Sequence, residues 1–134
     1  MLQISRIHLP EGLKSEVLSE HAARGHCDRS QEYVALMDGE EAGLLSYEDW
    51  SDQSVGFIYE VFVLPGYRRR GVGAHLLLYA ESRALQLFCK LLRLKPFALD
   101  QEPDETRLVA WYTKMGYSWS PVDHEVMEKC LPET

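Results

Sequence analysis

The stretch IYEVFVLPGYRRRGVGAHLL, residues 58–77, contains the features that decide the fold. An apolar run ends at Pro65, three arginines follow at residues 68–70, and Gly71 and Gly73 lead into a second apolar segment. A nearly all-apolar run is typical of a strand buried on both faces, and the apolar spacing after Gly73 is that of a helix. The stretch therefore predicts a strand joined to a helix by a basic turn that contains glycine.

Hydrophobic patterns on either side of this stretch predict the element order β, α, β, β, β, α, β, α, β. The predicted strands are residues 2–9, two hairpin arms joined at Asp38-Gly39, residues 54–64, residues 90–95 and residues 123–131. The predicted helices are residues 13–26, residues 73–88, and a helix with Pro103 and Asp104 at its start and Gly116 as its stop. This order indicates a mixed sheet with helices on both sides.

Length and charge narrow the class of protein and ligand. The chain has 134 residues, so a single domain over residues 1–134 is expected. The net charge is −7, and without the three arginines of the turn the 14 basic residues fall to 11, against 21 acidic residues. A positive site on an acidic body favours one small anionic ligand and argues against nucleic acid, which usually binds a basic face.

Other classes are disfavoured by what the sequence lacks. No apolar run approaches the roughly 20 residues of a membrane helix, so no membrane partner is expected. Residues 1–10 lack the unbroken apolar block of a signal peptide, so a cytoplasmic location is expected. Cys27, Cys89 and Cys130 are widely separated and have no CxxC spacing, which indicates neither a disulfide framework nor a zinc site.

The turn RRRGVG has the composition of a phosphate site. Amides in the first turn of a helix have no partner inside the helix, and the helix dipole adds positive charge there. Glycines let the backbone approach a phosphate closely, and arginines add charge-assisted hydrogen bonds. The turn lacks the GK[ST] of a Walker loop and the third glycine of the GxGxxG dinucleotide fingerprint.

The segment VFVLPGYRRRGVGAHLL resembles the acyl-CoA-binding signature of the GNAT superfamily of N-acetyltransferases, whose core pattern is [R/Q]-x-x-G-x-[G/A]. Arg68, Gly71 and Gly73 occupy its three fixed positions, and AWYTKMGY, residues 110–117, is similar to a later segment of the family. The resemblance implies a mixed, mostly antiparallel central sheet of about 6–7 strands flanked by helices on both faces. It also implies acetyl-CoA as the cosubstrate and no metal.

The resemblance assigns the cofactor contacts. The amides from Arg69 through Ala74 are expected to bind the pyrophosphate of CoA, and the backbone of residues 61–63 is expected to pair with the pantetheine arm. The implied cofactor-binding residues are Val61, Phe62, Val63, Arg68, Arg69, Arg70, Gly71, Val72, Gly73 and Ala74. The alternative is that the arginines form a solvated face and that the glycines only make a tight turn.

Two residues are candidates for the chemistry. Tyr112 matches the family tyrosine that donates a proton to the departing CoA sulfur; the alternative is a core aromatic beside Trp111. Glu60 is the one charged residue between Val55 and Leu64, and we identify it as the candidate general base, acting through water. The alternative is a carboxylate that is solvated at a strand end or paired with an arginine.

The resemblance implies direct transfer of acetyl to a primary amine in a ternary complex, and a sensor that binds acyl-CoA without turnover is the alternative. Glu48, Asp49 and Asp52 surround Trp50, which suits a small cationic amine and equally suits plain solubility. One position departs from the family, because Glu105 stands where many members have asparagine. A homodimer is left open.

Overall fold

The computed structural model of the chain describes residues 1–96 and 105–132. Within these ranges the chain forms seven strands and three α-helices. They are β1 Leu2–Ile7, α1 Glu16–Gly25, β2 Ser30–Met37, β3 Glu40–Trp50, β4 Val55–Val63, α2 Val72–Gln86, β5 Leu91–Leu94, α3 Glu105–Lys114, β6 Ser118–Trp119 and β7 Met127–Cys130. The predicted order is confirmed, with β6 added; two residues are too few to produce a hydrophobic pattern.

The seven strands form one sheet in the order β1-β2-β3-β4-β5-β7-β6. The pair β4–β5 is parallel, and the other described pairs are antiparallel. A parallel pair needs a crossover, and α2 supplies it between β4 and β5. The predicted class, a mixed and mostly antiparallel sheet with flanking helices, is confirmed.

The two faces of the sheet carry separate hydrophobic clusters. On one face, Leu18 and Ala22 of α1 pack with Val34, Leu44 and Phe62. On the opposite face, the strand residues Tyr33 and Leu45 pack in one cluster with Leu76 of α2 and Tyr112 of α3. Because side chains alternate along a strand, neighbouring positions such as 33 and 34 supply different clusters. Helices on both sides of the sheet are thereby confirmed.

Local signals set several element ends. The hairpin turns at Asp38 and Gly39, whose φ values of 52° and 85° are both left-handed, as predicted for an Asp-Gly turn. The first helix begins three residues later than predicted, because Ser15 is its N-cap and accepts a hydrogen bond from the Leu18 amide at 3.2 Å.

The ends of α2 and α3 differ from each other. Phe88 was predicted to belong to α2, but that helix ends at Gln86, and Phe88 is exposed with a left-handed φ of 62°. Gly116 ends α3 as predicted: its φ is 101°, and the amide of Tyr117 donates to the carbonyl of Tyr112 at 3.0 Å. Pro103 and Asp104, the predicted start of this helix, lie outside the described residues.

Candidate active site

The strand β4 has two different edges. Along one edge it pairs with β3 over its whole length, up to Val63 opposite Gly43. Along the other edge it pairs with β5 only from Val55 to Ile58, and β4 continues for five residues beyond that pairing. In residues 1–96 and 105–132 no strand covers this second edge. Its backbone groups can therefore pair with an extended molecule, as in strand addition.

A β-bulge lies where the pairing with β5 stops. Ser46 lies opposite Glu60 and Tyr47 lies opposite Ile58, so Tyr59 is the extra residue in β4. A bulge re-aims the side chains next to it, and bulges are common beside active sites. Here the bulge immediately precedes the open part of the edge, and it determines which face of the sheet Glu60 occupies.

The helix α2 begins beside the open edge. Its N-cap is Gly71, whose φ of 81° is left-handed, and Arg69 before it also has a left-handed φ of 64°. A glycine cap has no side chain that could accept from the first-turn amides of residues 72–74. The turn therefore presents backbone N–H groups and the positive end of a helix dipole, which together favour an anion.

A groove of about 360 Å³ runs between the open edge, this turn and α3. Its lining consists of residues 61–63 of β4, residues 67–69 and 71–74 of the turn and α2, and Arg107, Leu108 and Trp111 of α3. The groove thus brings together nine of the ten predicted cofactor-binding residues. Arg70 is the exception, and its guanidinium lies 5.6 Å from the ring centroid of Tyr67.

The arginines of the turn have different surroundings. Nε of Arg68 donates to the carbonyl oxygen of Val63 at 3.0 Å, which ties the turn to the end of β4. Arg69 lines the groove and is exposed. We therefore assign Arg68 a structural contact in addition to any contact with a ligand, and Arg69 is the better placed of the two to meet a phosphate.

The contribution of α3 to the groove was missed at the level of sequence. Arg107 and Trp111 are four residues apart, which places them on one side of a helix. The spacing of four residues could have indicated that the two side chains act together, but nothing in the sequence says which side of α3 meets the groove. Glu105, the residue that departs from the family, lines a separate depression with Trp119 and Glu125.

The fit of CoA to the groove can be tested at Gly73. A Cβ added there would lie 3.5 Å from the Trp111 ring and 3.6 Å from the Val63 side chain, which are ordinary contacts. Protein packing therefore does not require glycine at this position, although a helix interior disfavours it. The missing side chain keeps the groove open beside the first-turn amides, as the approach of a phosphate requires.

Glu60 lies on the α1 side of the sheet, at the inner end of the open edge. Its carboxylate Oε2 is 2.7 Å from Nδ1 of His21, and the two side chains are 11% and 2% exposed. The His21 ring stacks on Phe62 with a centroid distance of 3.8 Å. This contact joins Glu60 to a histidine, a partner that the alternatives drawn from the sequence did not include.

Tyr112 lies in the core cluster of the α2 and α3 face, with 5% of its surface exposed. Trp111 and Tyr117 are its aromatic neighbours, at centroid distances of 4.9 and 5.8 Å. Burial raises the pKa of Tyr112, and the negative charge of Glu60 raises it further. The hydroxyl is therefore protonated at neutral pH. Its role in catalysis stays a prediction.

A larger depression of about 780 Å³ lies elsewhere, between β1 and the β2–β3 turn. Its lining carries both signs of charge, including Arg6, Lys14 and Glu40. The carboxylate of Glu41 accepts the backbone amides of Lys14 and Ser15, at 2.8 and 2.7 Å, so it holds the loop before α1. The Glu41 carboxylate already accepts from the backbone amides next to the start of α1, and we regard this region as structural.

Comparison with known proteins assigns the family. A sequence model of the acetyltransferase (GNAT) family matches residues 1–117. The chain belongs to the GNAT family of acetyltransferases. No curated protein sequence matches this GNAT chain significantly.

Solved structures agree on the fold. The ribosomal-protein-S18-alanine N-acetyltransferase of Escherichia coli matches with a TM-score of 0.70 and 14% identity, over 100% of this chain and 96% of that one. The IAA acetyltransferase of Bacillus cereus matches with a TM-score of 0.70 and 18% identity, over 98% and 100%. A GNAT acetyltransferase of Elizabethkingia anophelis, solved with acetyl-CoA bound, matches with a TM-score of 0.68 and 16% identity, over 97% of this chain and 98% of that one. At these identities the likeness shows the GNAT fold.

The acidic residues around Trp50 lie at the end of β3 and in the short turn after it, and they make internal contacts. Asp52 pairs with Arg29 at 2.7 Å, and the Arg29 guanidinium lies 3.8 Å above the Trp50 ring. Glu48 accepts from the Trp50 indole at 3.0 Å, and Asp49 accepts from the Ser51 amide at 2.9 Å. These contacts favour a structural role for residues 48–52 over recognition of an acceptor.

No helix in residues 1–96 or 105–132 is long and apolar enough to cross a membrane. In the same ranges, no three His, Cys, Asp or Glu side chains form a group that could hold a metal ion.

Proposed function

We propose that the protein transfers the acetyl group of acetyl-CoA to a primary amine, by direct attack in a ternary complex and without an acetylated enzyme residue. The observation that carries the proposal is the continuity of the groove with Glu60. The lining of the groove runs from the α2 start along β4 to Val61, the residue after Glu60. The charge of Glu60 in turn acts on Tyr112.

In this proposal the phosphate end of CoA binds at the start of α2. The first-turn amides and Arg69 hold the pyrophosphate, while the pantetheine arm pairs with the backbone of residues 61–63. Such pairing supplies the main-chain hydrogen bonds of an added strand. It directs the thioester toward Glu60, where the strand passes from the open edge into the bulge.

The chemistry is a proton-balanced acyl transfer. Glu60 accepts one proton from the ammonium form of the amine, and the neutral nitrogen then bonds to the acetyl carbon. The C–S bond breaks and Tyr112 donates its proton to the sulfur. The second proton lost by nitrogen restores Tyr112, and the proton on Glu60 passes to solvent. The products are the amide, the free thiol of CoA and one proton.

The acceptor that we propose is small and cationic. A primary amine carries positive charge at neutral pH, and the chain carries a net charge of −7, which attracts such an acceptor at low salt. The internal contacts of residues 48–52 remove them from this argument. Their neutralisation is therefore expected to weaken the apparent acceptor affinity only through the loss of net negative charge, so the change should disappear at high salt, and an affinity that is unchanged at low salt would contradict a cationic acceptor.

The experiment that tests the function is a broad amine screen with acetyl-CoA, read out as release of free thiol. Cationic, neutral and anionic amines are included, and acetyl-CoA without amine measures hydrolysis. We expect thiol release that depends on the amine and on enzyme concentration. Tight binding of acetyl-CoA without turnover on any amine would favour the sensor, and no binding of acetyl-CoA would contradict both functions.

A further inference from the structure

The contact between His21 and Glu60 joins α1 to the strand that borders the groove. We propose that His21 is a positioning residue, which holds the Glu60 carboxylate in the orientation in which it accepts the proton of the amine. The role rests on the proposed function, because it gives the base of that reaction a partner. The sequence alone assigned no role to any histidine.

The environment of His21 requires a hydrogen bond. It lies on the buried side of α1 with Leu18 and Ala22, where an imidazole without a partner is costly. The Nδ1 to Oε2 distance of 2.7 Å is in the range of charge-assisted hydrogen bonds. With Glu60 ionised, as a base must be, the carboxylate only accepts, so Nδ1 carries the hydrogen and donates it.

The orientation of the imidazole is fixed by Phe62. The two rings stack with an interplanar angle of 18°. Phe62 lies two residues after Glu60, so both side chains are on the same face of β4. Because Phe62 also lines the groove, one ring sets the direction of the Nδ1–H group and contacts the space that the thioester would fill.

The close approach of α1 to the bulge depends on Gly25. A Cβ at residue 25 would lie 2.7 Å from the Tyr59 ring and 3.0 Å from Oγ of Ser46. Tyr59 is the extra residue of the bulge, and Ser46 lies opposite Glu60. The chain thus seats the C-terminal half of α1 directly on the segment that carries the base, which brings His21 within hydrogen-bonding distance.

The chain contains a second His–Glu pair, in which the histidine side chain is 52% exposed rather than 2%. His26, the C-cap of α1, has Nδ1 2.9 Å from Oε1 of Glu32, whose side chain is 3% exposed. Glu32 lies on the same face of the sheet as Glu60, because Ser46 is opposite both, but it is two strands away on β2. This pair has the same chemistry without proximity to the groove, so it controls for general effects of breaking a His–Glu contact.

The test uses two substitutions that separate the hydrogen bond from the ring. His21→Phe keeps the ring and its stacking on Phe62 but removes the donor. His21→Asn removes the ring but keeps an N–H donor at the same number of bonds from the backbone. The rate is measured as thiol release from acetyl-CoA with the best amine of the screen, and stability is measured by thermal unfolding.

We expect activity and stability to rank the two variants in opposite order. His21→Phe lowers kcat by about 10²-fold, the usual effect of misplacing a reacting group, with little change in KM for acetyl-CoA. His21→Asn restores kcat to within about fivefold of the wild type, although its melting temperature is the lower of the two because ring packing is lost. The same substitutions at His26 leave kcat unchanged.

A double substitution completes the test. In a Glu60→Gln background, His21→Phe should lower kcat by about twofold at most, because residues that act as a unit are not additive. Equal activity of His21→Phe and the wild type, equal loss in both His21 variants, or full additivity with Glu60→Gln would each overturn the positioning role while leaving the proposed function intact. A wild type that is inactive with every amine would overturn both.

Discussion

Two glycines flank the end of β4, and their surroundings differ. Gly43 lies on the edge that β3 closes, and a Cβ there would meet the carbonyl oxygen of Phe62 at 2.8 Å and the side chain of Leu76 at 3.1 Å. Gly73, in the first turn of α2, lies beside the open edge, and a Cβ there would make only ordinary contacts. Packing explains the first glycine and does not explain the second.

The comparison extends to the whole strand. On the closed edge, β3 forms hydrogen bonds with β4 and side chains of the protein fill the space, so the residues there stabilise the fold. On the open edge the protein leaves backbone groups, helix-start amides and a groove beside them. Substitutions on the closed edge should therefore change the free energy of unfolding, whereas those on the open edge should change cofactor binding and turnover.

The largest effect is expected at Tyr112. The change Tyr112→Phe removes one hydroxyl and keeps the ring between Trp111 and Tyr117, so α3 still packs and acetyl-CoA still binds. Loss of the proton donor to the thiolate should lower kcat by about 10²- to 10⁴-fold. Thiol-release assays measure kcat, and calorimetric titration with CoA measures cofactor binding separately. Normal turnover would show that Tyr112 is only a core aromatic.

A smaller loss is expected for Glu60→Gln. The amide cannot accept the proton of the ammonium, so at neutral pH kcat should fall by about 10²-fold. The loss should shrink as pH rises toward about 10.4, the pKa of a lysine-like amine, because the acceptor then loses its proton without help. Turnover of both proteins from pH 7 to pH 10 measures this. A loss that is constant with pH contradicts the role of base.

The two glycines can be tested directly against each other. Gly73→Val should leave the free energy of unfolding nearly unchanged but weaken CoA binding by about tenfold or more, equivalent to about 1.4 kcal/mol, since the side chain fills the groove. Gly43→Ala should leave CoA affinity unchanged and destabilise the fold by about 1–3 kcal/mol, the usual cost of overpacking. Urea unfolding and calorimetry measure both. If the two variants behave alike, the distinction between the edges is wrong.

The groove lining contributed by α3 predicts a further effect. Arg107→Ala should weaken CoA binding by about tenfold, the equivalent of a hydrogen bond to a charged group, and should reduce its salt dependence. Arg70→Ala is the matched control, because Arg70 lies over Tyr67 and does not line the groove. Equal losses in the two variants would mean that general positive charge, and not position, attracts the cofactor.

Much of this arrangement could be predicted from the sequence, because it depends on local signals. The strand, the basic turn and the helix of residues 58–77 follow from apolar runs, two glycines and Pro65. Asp38-Gly39 and Gly116 have the left-handed backbone that their residue types favour. A short resemblance then predicted acetyl-CoA as the cosubstrate, and nine of the residues that it assigned to the cofactor line the groove.

The rest depends on contacts between distant segments. The partnership of His21 with Glu60 joins residues 39 positions apart, and it requires the bulge at Tyr59, which no hydrophobic pattern reveals. Likewise, the side of α3 that meets the groove is decided by packing of Tyr112 into the core. Arg70 and Phe88 show the limit of prediction from local sequence. Arg68 and Arg69 line the groove and Arg70 does not, and Phe88 is exposed although it continues the apolar pattern of α2.

The smallest expected effect is the loss of unfolding free energy at high pH, and it should be the same for Tyr47 on β3 as for Tyr112 on α3. Burial raises the pKa of Tyr47 on β3 and of Tyr112 on α3. In the unfolded chain both ionise near about pH 10, whereas in the folded protein they stay protonated, so their stabilisation is intact below pH 10 and is lost as pH rises above it. Each tyrosine should lower the free energy of unfolding at pH 10.5 by about 0.8 kcal/mol relative to its value at pH 8. Tyr47→Phe and Tyr112→Phe should each reduce that pH-dependent loss by the same amount, in urea unfolding at the two pH values. Only Tyr112→Phe should also change kcat, and a similar fall in kcat for Tyr47→Phe would mean that the closed edge takes part in the chemistry.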